Sequence, residues 1–140
     1  MNEINTLKLI NSFPNLYPKV HPLFPNEDAE IRFDCGDGWF QIIWDLSKNL
    51  EVEFIRIKRE DKRDIEELPY FEYVKIRIGT LDFSVAKYND KIDMYILEAM
   101  KKSETICEIC GNTGRYNCNL DKDLVMPWLV KVRCDEHMET

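Results

Sequence analysis

The residues best suited to chemistry lie near the end of the chain, where two pairs of metal-binding side chains are separated by 23 residues. The first pair is Cys107 and Cys110, and the second pair is Cys134 and His137. Two intervening residues let both donors of a pair turn onto one ion, and two such pairs complete the tetrahedron of a structural zinc site. The sequence therefore predicts one structural zinc ion bound by Cys107, Cys110, Cys134 and His137.

The ligand set argues against catalysis at the metal, because a catalytic zinc usually keeps a position for water beside three protein ligands. Free buried thiols are the alternative interpretation of this group. Cys118 is a possible substitute ligand, although it has no partner at the same spacing. Cys35 lies far upstream with no histidine beside it, so it is interpreted as a small buried residue and not as a nucleophile. The odd count of five cysteines, four of them in the last 34 residues, favours metal over disulfides.

Composition limits the partners that the protein can have. The chain has 140 residues, 44% of them apolar, and a formal net charge of −7. A net negative charge opposes binding to nucleic acid or to anionic lipid, since both depend on an excess of Lys and Arg. The first residues lack the basic leader of a signal peptide, and no run is long enough to span a membrane. We therefore expect a cytoplasmic protein whose partner is another protein.

Apolar residues at steps of three and four predict three helices, at about residues 3–11, 39–57 and 90–104. Asp37 is expected to cap the second helix by accepting hydrogen bonds from its first amides. Residues 51–58 also alternate as a strand would, and the helix is the preferred interpretation. The second helix has the longest apolar stripe, which consists of Trp39, Ile42, Ile43, Leu46, Leu50, Phe54 and Ile57.

Two other stretches have distinct patterns. Prolines at positions 14, 18, 22 and 25 predict an extended arm laid along the body, with His21 as a packed or surface residue. Residues 71–78 and 81–88 flank Gly79 and Thr80, and a glycine in the first position predicts a type II′ hairpin turn. That turn would set Ile78 opposite Leu81, Ile76 opposite Phe83 and Val74 opposite Val85.

These elements predict an α+β fold in which helices pack on a small antiparallel sheet. Residues 1–106 would form the body with its N-terminal arm, and residues 107–140 the zinc-knuckle lobe. Residues 128–133 alternate as a strand that leads to Cys134. Coordination would then tie the last helix to the C-terminal segment in one unit.

Several motifs occur in the same order as in a known group of proteins. The order runs from Gly38-Trp39 at a helix start, through Gly79-Thr80 at a hairpin, to the two metal pairs. In this respect residues 34–137 resemble small uncharacterised zinc-binding proteins encoded by bacteriophages and prophages. The resemblance implies zinc binding and a viral or mobile-element origin, and it implies no mechanism.

Three functional hypotheses remain open. The first is a non-catalytic protein-binding module that acts on another protein, such as a host factor, through its arm or its acidic surface. The second is a nucleic-acid-associated zinc-finger protein that uses a local basic cluster, formed by Arg56, Lys58, Arg59, Lys62 and Arg63. The third is a hydrolase-like enzyme that uses Asp34 and Asp37, although turn and capping roles explain both residues. Within residues 107–140, six acidic residues against four basic ones disfavour the second hypothesis for the metal lobe.

Overall fold

The computed structural model describes residues 1–26, 30–60, 64–119 and 126–138. The three helices are α1 (Glu3–Ser12), α2 (Phe40–Glu60) and α3 (Asp90–Ser103). The strands are β1 (Phe33–Asp34), β2 (Tyr70–Arg77), β3 (Thr80–Ala86), β4 (Arg115–Tyr116) and β5 (Val132–Arg133). The predicted α+β class is confirmed. None of the described helices combines the length and the apolar character that a bilayer crossing requires.

Helix α2 is the central element of the hydrophobic core. The entire stripe predicted from the sequence is buried, from Trp39 to Ile57, and the stretch 51–58 is helical and not a strand. One side of the helix contacts α3, which in turn packs on β3. The helices therefore form a layer on one face of the sheet, as expected.

The sheet differs from the prediction in two respects. It is mixed and not purely antiparallel, because the short strand β1 pairs with β2 in parallel register at Val74 and Lys75. The hairpin register is also shifted, since Ile76 pairs with Leu81 and Val74 with Phe83. The predicted pairing was therefore wrong by two residues. Val74, Leu81, Phe83 and Val85 still face the core and Ile76 packs against it, but Ile78 lies in the turn and is 46% exposed.

The shift arises at the hairpin turn. Its central residues are Ile78 and Gly79, with φ angles of 49° and 80°. Positive φ at both positions is the geometry of a type I′ turn, which suits the twist of the strands. A β-branched residue rarely adopts positive φ, so a turn centred on Ile78 could not be predicted from propensity.

Asp37 does not cap α2. A short 3-10 turn (Asp37–Trp39) precedes the helix, and its N-cap residue, Gly36, has no side chain to form a capping bond. The Asp37 carboxylate instead accepts hydrogen bonds from the backbone N–H of Asn2 at 2.8 Å and from Nδ2 of Asn5 at 3.2 Å. It thereby joins the start of α1 to the start of α2, a contact between residues too far apart in sequence for a capping rule to predict.

The proline-rich arm lies along the body, but its first part is not extended. Tyr17 N–H donates to the Phe13 carbonyl at 2.9 Å, which closes a turn, and both rings are buried. Glu51 on α2 accepts the backbone N–H groups of Asn15 and Leu16 at 3.0 and 2.7 Å. Side-chain hydrogen bonding from α2 therefore favours a turn where proline spacing alone predicts an extended chain. Further along the arm, His21 packs between aromatic rings, as expected.

The carboxylate of Glu53 connects α2 to the start of α3. Glu53 is buried, yet Arg56 donates to it from Nε at 3.1 and 3.2 Å and from Nη2 at 2.5 Å. Asn89, the N-cap residue of α3, donates from Nδ2 at 3.1 Å, and Lys91 Nζ lies 3.6 Å away. The bonds from Arg56 lower the pKa of Glu53, against the opposing effect of burial.

We expect Glu53→Gln to cost about 2 kcal/mol of unfolding free energy at neutral pH, because the buried ion pair with Arg56 is lost and a single neutral oxygen remains to accept from Arg56 and Asn89. A carboxylate with a lowered pKa stabilises the fold above its unfolded pKa, and this contribution is lost as the pH falls through the folded value. The difference between wild type and variant should therefore shrink on acidification. Urea unfolding at several pH values measures it. Glu60→Gln, which removes the exposed partner of the same Arg56, is the control and should change stability by less than about 0.5 kcal/mol.

Candidate metal centre

The structure brings the four predicted ligands together. One donor atom from each of Cys107, Cys110, Cys134 and His137 lies within 4.8 Å of all the others. Cys110 Sγ is 3.6 Å from Cys134 Sγ, and His137 Nδ1 is 3.2 Å from Cys134 Sγ and 3.7 Å from Cys107 Sγ. A tetrahedral ion with metal–sulfur bonds of about 2.3 Å holds its sulfur ligands about 3.8 Å apart. The donor set therefore fits a single metal ion.

The first pair is held by a tight turn of the backbone. Gly111 N–H donates to the Cys107 carbonyl at 2.9 Å, and Cys107 N–H donates to the Asn112 carbonyl at 2.8 Å. Gly111 has a φ angle of 83°, which a residue with a side chain rarely adopts. The glycine thus closes the turn that directs both sulfurs to the same point.

The second pair follows the two-stranded sheet formed by β4 and β5. Cys134 comes directly after β5, and a 3-10 turn (Asp135–His137) returns His137 to the cluster, with its N–H bonded to the Cys134 carbonyl at 3.1 Å. The predicted strand over residues 128–133 is only partly present. Pro127 begins a separate 3-10 turn (Pro127–Leu129), so the strand is limited to Val132–Arg133.

The environment of Cys107 prepares a thiolate. Burial raises the pKa of this thiol, but hydrogen bonds from the backbone amides of Cys134, Cys110 and Ile109 outweigh burial and lower the pKa to about 6. Metal binding requires the deprotonated form, so the fold itself favours the ligand state of Cys107.

A buried ion pair supports the turn that holds Cys107 and Cys110, here called the knuckle. The sequence did not predict this pair. Arg133 Nη1 donates to Glu108 Oε1 at 2.6 Å, and both side chains are buried. The other oxygen, Oε2, accepts the backbone N–H of Gly36 at 3.3 Å. A charged residue directly before Cys134 and another directly after Cys107 are the signal that could have indicated this pair.

The body contacts the knuckle directly through the segment that precedes α2. Gly38 N–H donates to the Glu108 carbonyl at 2.8 Å, and Trp39 Nε1 donates to the Ile106 carbonyl at 2.9 Å. A Cβ at Gly36 or Gly38 would lie 2.2 or 2.1 Å from a backbone carbonyl oxygen of the knuckle. These glycines therefore allow close approach to the metal site, a role that their positions in the sequence did not reveal.

The remaining candidate residues lie outside the cluster. Cys118 is half-buried and does not belong to the described metal group. Cys35 is buried, as predicted, and burial raises its pKa to about 12, so its thiol stays protonated. Asp34 is exposed and pairs with Arg32 at 3.5 Å, whereas Asp37 binds the start of α1. The two carboxylates thus have separate partners.

The fold and the site define an α+β protein with a Cys3His cluster that could hold a metal ion. No family model, curated protein or solved structure matches the chain.

Proposed function

We propose that this chain is a non-catalytic, zinc-stabilised protein-binding module that acts in the cytoplasm. The observation that carries the proposal is the closed ligand set, in which three sulfurs and one imidazole nitrogen surround a single point. Zinc suits this donor set, and four protein ligands leave no position for a reactive water. The metal would then stabilise the fold and shape a binding surface.

The proposed partner is a protein and not a nucleic acid. In the basic cluster, Arg56 is bonded to Glu53 and Glu60, and Lys58 Nζ donates to Asn15 Oδ1 at 3.2 Å. These cations already have partners within the chain, so they are less available to phosphates. Lys62 and Arg63 lie outside the described residues. We propose a host protein as the partner on the strength of the resemblance to phage-encoded proteins alone.

Two measurements test the proposal. Metal analysis of cleanly purified protein should give about one equivalent of zinc, and less than about half an equivalent would contradict the metal assignment. Tagged metal-loaded protein should retain a stoichiometric protein partner from bacterial lysate, and chelation followed by dialysis should release it. Fully loaded protein that retains no partner would count against a binding module.

A further inference from the structure

A groove of about 680 Å³ lies between the β2–β3 hairpin and the segment 127–131, here called the wall segment. Val130 is buried beneath it, and the hairpin turn packs on Val130, since a Cβ on Gly79 would lie 3.1 Å from its Cγ1 atom. Trp128 and Ile78 line the groove and are 71% and 46% exposed. The groove is therefore an apolar slot open to solvent, with a volume typical of binding sites.

Asn117, which follows β4, fixes the wall segment. Its backbone N–H donates to the Lys131 carbonyl at 2.9 Å, and its Nδ2 donates to the Leu129 carbonyl at 2.8 Å. Its Oδ1 accepts the Lys131 N–H at 3.1 Å. Strand β4 follows the first ligand pair and its partner β5 leads to Cys134, so the wall segment depends on the same lobe that the metal would stabilise.

The charge of the groove is opposite to that of the whole chain. Lys75, Arg77 and Lys131 line it, and none of them takes part in an ion pair within the part of the chain that the structure describes. Glu108 also lines the groove, but its carboxylate is occupied by Arg133. On a protein of net charge −7, three such cations around an apolar slot favour an anionic ligand with an apolar group.

One edge of β2 is open along this groove. Strand β1 pairs with β2 only at Val74 and Lys75, so Ile76 and Arg77 face no strand on that side among the described residues. An extended peptide can add to such an edge through main-chain hydrogen bonds, while neighbouring pockets select its side chains.

We infer that the groove binds an extended acidic peptide segment of a partner protein. Its main chain lies along β2, one large apolar side chain enters between Trp128 and Ile78, and its carboxylates meet Lys75, Arg77 and Lys131. Single-stranded nucleic acid fits less well, because binding without sequence preference uses several stacked aromatics and the groove has one exposed tryptophan. This inference rests on the proposed function and names its surface.

Selection from a displayed library of random peptides of about ten residues, on metal-loaded protein, tests the inference. Enriched peptides should combine Asp or Glu with one Leu, Ile or aromatic residue. A synthetic peptide of the enriched sequence should bind Trp128→Ala about thirtyfold more weakly than wild type. Lys75→Glu should weaken binding about tenfold, and chelation should abolish it.

Matched controls separate the groove from the rest of the surface. Leu129→Ala removes an exposed apolar neighbour that does not line the groove, 52% exposed against 71% for Trp128, and Lys48→Glu reverses a charge on α2; both should bind like wild type. Peptides that bind all four variants equally would contradict the groove as the binding site and would leave the proposed function intact. Failure to enrich any peptide would also contradict peptide binding in the groove. The lysate experiment would then be the separate test of the protein-binding function. If a fluorescent oligothymidine binds wild type but not Trp128→Ala, the ligand of the groove is single-stranded nucleic acid and the peptide inference is wrong.

Discussion

Cys107→Ser should abolish metal binding and unfold the lobe from about residue 105 to residue 138, while the helical body stays folded. The Cys107 sulfur is fully buried and lies at the centre of the knuckle hydrogen bonds, so no solvent molecule can replace it without rearrangement. Structural zinc contributes about 10–16 kcal/mol of apparent binding free energy in small zinc domains, which is as much as a whole domain's stability. The body has its own core, whose buried members lie between Leu9 and Ala99.

Metal analysis and amide hydrogen exchange measure this effect. Bound zinc should fall from about one equivalent to near none. Protection should be lost at the amides of Gly111, Asn117 and His137, and kept in α2 and in the β2–β3 hairpin, and chelation of wild type should reproduce the pattern. Cys118→Ser is the matched control and should keep its metal, because Cys118 lies outside the cluster. If Cys118→Ser lost its metal and Cys107→Ser kept it, Cys118 and not Cys107 would be the ligand.

The features that sequence predicted well are those that depend on neighbouring residues. The apolar period of α2 and the spacing of Cys107 and Cys110 are local patterns with a direct physical cause. Their structures could therefore be predicted from short windows of sequence.

The features that sequence did not predict depend on residues far apart in the chain. The hairpin register is set by positive φ at Ile78 and Gly79, a turn that packs on Val130 about 50 residues later. The hydrogen bond that Asp37 accepts from the start of α1 and the Glu108–Arg133 ion pair also form only in the folded arrangement. No short pattern encodes these contacts, so hydrophobic periodicity alone could not have located the groove.

Gly38→Ala should be among the most damaging substitutions in the body, although it adds a single methyl group. Its Cβ would lie 2.1 Å from the Cys107 carbonyl oxygen and 2.6 Å from the Gly111 nitrogen, and both are backbone atoms of the knuckle. Neither can rotate away as a flexible side chain can. The segment or the knuckle must therefore move, which would break the 2.8 Å bond from Gly38 N–H to the Glu108 carbonyl.

Movement of this segment would also disturb the core, because the next residue is Trp39. Its ring is fully buried and its Nε1 is bonded to the Ile106 carbonyl, so it cannot follow a shift of Gly38 without losing packing. Overpacking and one lost buried hydrogen bond together should cost about 3 kcal/mol or more. The same shift would displace the carbonyls around Cys107, so zinc affinity should fall together with stability.

Denaturant unfolding and competition with a zinc chelator measure the two effects on Gly38→Ala. The control is Asp34→Ala, which removes an exposed side chain from the same segment and should change stability by less than about 0.5 kcal/mol. If Gly38→Ala has the same stability and the same zinc affinity as wild type, the segment before α2 does not pack against the knuckle. If both quantities fall together, the knuckle supports the start of α2, and metal binding adds stability to a body that stays folded without it.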